Sequence, residues 1–110
     1  MADVDERLQS WKNLTEERDE VVFSTLEQLG FQLKKCVKGS HFVYTHPLLK
    51  EAYRLFREYF PRDFHPDGTL IVVVHKNHVS RFYLKNILKA VEINREFEEL
   101  KEKHGGRIER

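Results

Sequence analysis

The stretch FQLKKCVKGSHFVYT, residues 31–45, decides how the chain is read. Two short runs rich in β-branched and aromatic residues, 31–37 and 41–45, flank Lys38, Gly39 and Ser40. Such runs favour extended backbone, and a glycine between them supplies the positive φ that a tight turn needs. The stretch therefore reads as a β-hairpin. Working back from it, Asn13 or Thr15 can cap a helix whose first turn holds Glu16, Glu17 and Asp19, with Val22, Leu26 and Leu29 at helical spacing and Gly30 as its terminator. Residues 1–14 are polar around a lone Trp11, carry no clear periodicity, and read as an N-terminal extension able to form a short frayed helix.

Working forward, Pro47 closes the second strand. Leu48, Leu49, Ala52, Tyr53, Leu55, Phe56, Tyr59 and Phe60 then fall on one broad stripe, the pattern of an amphipathic helix. Pro61, Pro66 and Asp67-Gly68 break the chain before residues 69–75, whose aliphatic run at 70–74 suits a buried strand. From Ser80, Leu84, Ile87, Leu88 and Val91 mark a second strong helix. Asn94 starts a further turn carrying Phe97 and Leu100, ended by Gly105-Gly106, and residues 105–110 read as a disordered tail. The expected fold class is α+β. It is a single domain over 1–110 with a small three-stranded antiparallel sheet, helices packed on one face, and a helical insertion at 48–66 between the second and third strands.

Length and composition agree with one core and no more: 110 residues, 40% hydrophobic, 34% charged. The longest aliphatic run is five residues, far short of the roughly 18–20 that span a bilayer, so no membrane association is expected. The acidic start MADVDERLQS has neither the basic end nor the apolar stretch of an export signal. With a single cysteine, Cys36, there is no internal disulfide, and a reducing cytoplasm fits. The net charge of +1 hides an asymmetry: residues 1–30 carry −5, residues 31–93 carry +6, and residues 94–110 balance. A basic middle behind an acidic lead-in suits a polyanion partner or an ordinary mixed surface.

Six histidines, at 41, 46, 65, 75, 78 and 104, raise the question of a metal. Their spacings argue against one, since no Cys, Asp or Glu joins His75 and His78 at ligand spacing, and no metal or other cofactor is expected. No Ser-His-Asp or Cys-His arrangement can be read out, and Cys36 inside a strand is a small packed residue.

The informative constellation is Lys34, Lys35, Lys38, Gly39, Ser40 and His41, followed by His46-Pro47. With Leu29-Gly30-Phe31, Val72-Val73-Val74-His75-Lys76, Leu84-Lys85-Asn86-Ile87-Leu88-Lys89 and Ile93 with Phe97, these residues resemble, in order, the motifs of the HicA toxin family of small bacterial ribonucleases, the mRNA interferases. The resemblance covers about residues 21–97. It implies a fold like the double-stranded-RNA-binding domain, α-β-β-β-α, cleavage of messenger RNA in which His41 of Gly-Ser-His is essential, and a HicB-type antitoxin that covers the active face. The chain departs from the family in the insertion at 48–66, in Phe82-Tyr83 where Gly-Thr is favoured, in Glu92 for a glycine, and in Val73 for a proline.

The chemistry is coherent with that implication. RNA carries its own nucleophile, the 2′-hydroxyl, so scission needs a group that moves a proton and positive charge near the phosphate. An imidazole with a pKa near 6.5 suits the first task at neutral pH, making His41 the candidate general acid or base. Lys34, Lys35 and Lys38 would supply charge, the backbone N–H groups of Gly39 and Ser40 could approach a phosphate, and His75 and Lys76 are secondary candidates. Arg81, Lys85 and Lys89 form a basic stripe on the closing helix that could track a phosphate backbone, although a solvated helix face is the plainer explanation. The hairpin lysines read equally as an edge that discourages strand-to-strand aggregation. His46, His75 and Tyr44 stand open as second proton-transfer groups. Two readings compete with the nuclease: a non-catalytic RNA- or protein-binding module on the same fold, and an interaction protein self-associating through Phe56 and Tyr59 of the insertion. The insertion's apolar stripe must be buried against the sheet, the segment with Trp11, or another chain. Were it to lie over the hairpin, it would cover the active face.

Overall fold

The computed structural model describes residues 3–60 and 66–105, apart from the side chains of Tyr59 and Pro66. It is an α+β fold with a five-stranded antiparallel sheet. The expected hairpin is present as β2 (Gln32–Val37) and β3 (His41–Thr45), and the third expected strand pairs with β3. Two strands of three residues each were not expected. These are β1 (Glu16–Arg18) and β5 (His78–Ser80), which pair with each other and extend the sheet to the order β1-β5-β4-β3-β2, where β4 is Thr69–His75. The β4–β5 connection is a two-residue turn in which Lys76 and Asn77 both have positive φ, 50° and 64°, as a type I′ hairpin requires.

Helix α1 (Val4–Trp11) is a packed element rather than a frayed extension. The Asp3 carboxylate accepts from the Asp5 N–H, Asp5 and Glu6 face the positive end of the helix, and Leu8 and Trp11 are buried. Trp11 is 0% exposed and its indole N–H donates to Glu17 at 3.1 Å. That bond and the pairing of residues 16–18 with β5 explain why α2 (Asp19–Gln28) begins later than the acidic residues suggest. Its end is as expected. Gly30, at φ 88°, lets the Phe31 N–H reach the Leu26 carbonyl at 3.0 Å and its own N–H reach that of Glu27 at 3.0 Å, a Schellman stop.

The insertion forms α3 (Pro47–Phe56) and then a 3₁₀ turn at Arg57–Tyr59, while its residues 61–65 lie outside the described residues. Leu49 and Ala52 are buried as α3 packs on α4 (Arg81–Lys103). The Phe56 ring meets Phe97 at 6.2 Å, and Lys101 pairs with Glu51 at 3.1 Å. The stripe thus packs within the chain, with Leu49 and Ala52 buried and Leu48, Tyr53, Leu55, Phe56 and Phe60 half-buried, and α3 lies against α4 rather than over the hairpin. Helix α4 is one continuous helix rather than a helix and a further turn. Nothing between Val91 and Phe97 breaks it, and Asn94 continues the buried face of Leu84, Ile87 and Val91. Gly105 ends it at φ 63°, and the tail at 106–110 lies outside the described residues. Among the described residues no helix is long and apolar enough to cross a membrane.

Candidate functional site

Because side chains alternate along a strand, the sheet has two unlike faces. One carries Phe42, Tyr44, Leu70 and Val72 and packs under the helices: Phe23 of α2 stacks on Phe42 at 4.7 Å, and Leu70 and Val72 are fully buried. The other carries His41, Val43, Ile71 and Val73, and no described helix covers it. His41 opens β3 on this outer face, directly after the hairpin turn.

The turn places it there. Lys38 and Gly39 have φ of 56° and 70°, the Ser40 N–H donates to the Val37 carbonyl at 3.3 Å, and a Cβ at Gly39 would meet open space. Ser40 then ties its carbonyl to β4, accepting from the Val74 N–H at 2.9 Å, so the start of β3 is held on both sides. The His41 ring is exposed, and its Nδ1 lies 2.9 Å from Ser40 Oγ. A hydroxyl can donate or accept, so this bond serves either tautomer, and Nε2 is the ring nitrogen outside it.

Beside His41 the outer face sinks into a shallow trough of about 560 Å³. Val43 and Ile71 form its floor, and Lys34, Lys35 and Lys50 stand around it with one carboxylate, Asp67. That two consecutive lysines line one trough is the work of a bulge: the β2–β3 register shifts between Leu33 and Lys35, leaving Lys34 without a partner and re-aiming its side chain. Among the described residues none of these three lysines is in an ion pair, so their charge is available to an anion.

The other expected residues are distributed unevenly. Lys38, Gly39 and Ser40 sit in the turn next to His41. Lys76 is in the β4–β5 turn at the same end of β4 as His75, outside the trough lining. Arg81 and Lys85 are exposed on α4, in the layer on the opposite side of the sheet, and are not brought to the trough. Among the described residues no group of three or more His, Cys, Asp or Glu could hold a metal ion.

Of the three groups open as a proton-transfer partner, two are committed elsewhere. His46 caps α3: its Nδ1 accepts from the Leu48 N–H at 3.1 Å, and its Nε2–H then donates to the Leu29 carbonyl at 3.2 Å. Burial holds its pKa below the usual 6.5, against the opposing pull of that carbonyl and of Glu98. Tyr44 points to the helix side, where burial and then Glu27 push its hydroxyl up to about 12. His75 is exposed and shares the outer face with His41. Because His41 pairs with Val73, His75 occupies the diagonal position, about 7–8 Å away between Cα atoms. Lys50 and Asp67 are trough residues that reading the sequence missed, since each reaches it only through the insertion's path.

Comparison of the chain with protein-family models, curated proteins and solved structures returns no match.

Proposed function

We propose that the chain is a toxin-type endoribonuclease that cleaves messenger RNA without a metal, with His41 as general acid or base. The observation that carries this reading is an exposed imidazole fixed at the head of β3, beside a trough with Lys34 and Lys35 on its rim. The element order α2-β2-β3-β4-α4 supports the double-stranded-RNA-binding-like core implied by the resemblance, with α3 inserted before β4.

In the reaction, His41 Nε2 takes the proton of a ribose 2′-hydroxyl, whose oxygen attacks the adjacent phosphorus. The P–O5′ bond breaks, leaving a 2′,3′-cyclic phosphate, and the departing 5′-oxygen gains a proton from an imidazolium, for which His75 is the candidate. Lys34 and Lys35 stabilise charge on the phosphoryl oxygens. A HicB-type antitoxin would act by covering this face.

The test is the appearance of new 5′-hydroxyl ends on single-stranded RNA in a chelator-containing buffer. His41→Ala should lower the rate about 10²–10⁴-fold while leaving the thermal midpoint in place, because the ring is exposed. Cleavage at the wild-type rate by this variant would remove His41 from the mechanism. Salt-dependent retention of RNA with no new ends would favour the binding module.

A further inference from the structure

We propose that the insertion completes the RNA site, with Lys50 and Asp67 binding the nucleotide next to the scissile link. The proposal rests on the nuclease reading for the word "scissile", while the binding it describes can be measured without cleavage. The trough runs along β3 from His41, opposite Val73, toward Thr45, opposite Thr69. Four residues of strand make that about 13 Å, so the trough is longer than one phosphate needs. Its far end is built by the insertion and its exit: Lys50 closes the first turn of α3, and Asp67 follows on the return to β4.

The placement of both residues is tightly specified. The Lys50 N–H donates to the His46 carbonyl at 3.0 Å, and His46 is itself pinned to Leu29 and Leu48. Gly68, at φ 74°, presses against this turn so closely that a Cβ there would stand 3.0 Å from Lys50 Cα and 3.3 Å from the Leu49 carbonyl oxygen. Only glycine allows that approach. Asp67 precedes it at φ 57°, a conformation that Asp and Asn tolerate better than other side chains do. The close contact therefore holds together the backbone positions that bring a cation and a carboxylate into an otherwise basic trough.

A lone ammonium would suit any anion. The added carboxylate repels phosphate and needs a donor, and the aliphatic floor of Val43 and Ile71 between the two ends needs an apolar face. A nucleotide of single-stranded RNA supplies all three: phosphate to Lys50, base plane to the floor, and an exocyclic amino group to Asp67. Uracil has no such amino group, and its one base N–H lies between two carbonyl oxygens that a carboxylate repels, so adenosine is preferred over uridine at this position.

The test uses the whole chain and short 2′-O-methyl oligoadenylate and oligouridylate, which lack the attacking hydroxyl and cannot be cut. Wild-type protein should bind oligoadenylate more tightly. Lys50→Met should weaken both several-fold and make the slope of log K against log salt shallower by about 0.7, the value of one single-strand phosphate contact. Asp67→Gly, which keeps the positive φ and removes the acceptor, should erase the preference for adenine. An unchanged affinity and slope in the first variant, an unchanged preference in the second, or no binding of either oligomer by wild-type protein would overturn the proposal. Thermal midpoints near wild type show that both variants fold. Binding as described with no cleavage by wild-type protein would sink the nuclease and leave this site standing. Cleavage dependent on His41 with a silent Lys50→Met would do the reverse.

Discussion

The two edges of the sheet are opposites. At the β1–β5 edge the strands are short and lie close to α2 and α4, with Val79 fully buried. At the other edge β2 runs six residues with every side chain exposed, Leu33 at 52% and Val37 at 40%, and Cys36 is exposed with them rather than packed, because this edge strand has no layer over it. The first edge is packed against helices through Val79; the second carries lysines, a bulge and the turn that presents His41. A chain built this way can change its β2 chemistry at little cost in stability, because no β2 side chain is buried, whereas β3 sends Phe42 and Tyr44 into the core. Charge along β2 also protects an open strand from pairing with other chains.

The largest effect that would break this contrast is expected at Trp11, which fills the core from an N-terminal helix remote from the hairpin. Trp11→Ala should cost about 3–5 kcal/mol in urea unfolding, a large part of the 5–15 kcal/mol typical of a small domain. Trp11→Phe should lose much less. A truncation with no effect would mean that α1 is not part of the core.

One chemical change made at both edges sharpens the comparison. Val79→Ala removes two fully buried methyl groups and should cost about 2 kcal/mol, whereas Val37→Ala, at a 40% exposed position, should cost less than about 0.5 kcal/mol. Equal costs in paired denaturation curves would show that the hairpin is as deeply tied into the core as β5.

The same division separates what could be read along the chain from what could not. The hairpin, the stop at Gly30 and the start of α4 after Ser80 rest on signals a few residues long, and the structure has them. Strands β1 and β5 have no local signal. Glu16 pairs with Ser80 across most of the chain, and three residues cannot show a period. Helix α1 did leave a trace, since Val4, Leu8 and Trp11 share one face, but three apolar residues among charges make a sparse stripe. At the site, His41 and its flanking lysines were legible because turn and strand are contiguous. The bulge that re-aims Lys34 depends on pairing with β3, and Lys50 and Asp67 reach the trough only because Gly68 closes the insertion onto itself. For His46 the clue was present: a residue able to accept a hydrogen bond directly before proline is a helix start, and that role occupies the ring.

His41 and His46 bring the contrast down to single side chains, one exposed at the head of β3 and one half-buried as a helix cap. The His46 cap needs a neutral ring, because Nδ1 must offer its lone pair to the Leu48 N–H. Burial lowers its folded pKa below the 6.5 of the unfolded chain, so in the interval between the two values the unfolded state binds more protons. Its contribution is therefore complete above about pH 6.5 and is lost as pH falls through the folded value. The effect is smaller than that of the Val79 change and is read as a difference: the wild-type melting midpoint should drop more between about pH 7.5 and 5.5 than that of His46→Asn, which keeps a capping oxygen and does not titrate. On the nuclease proposal, the pH dependence of RNA cleavage should be the same in both proteins, since the ring assigned to proton transfer is His41. A cleavage profile that shifted with His46→Asn would mean that the buried histidine takes part in the chemistry after all.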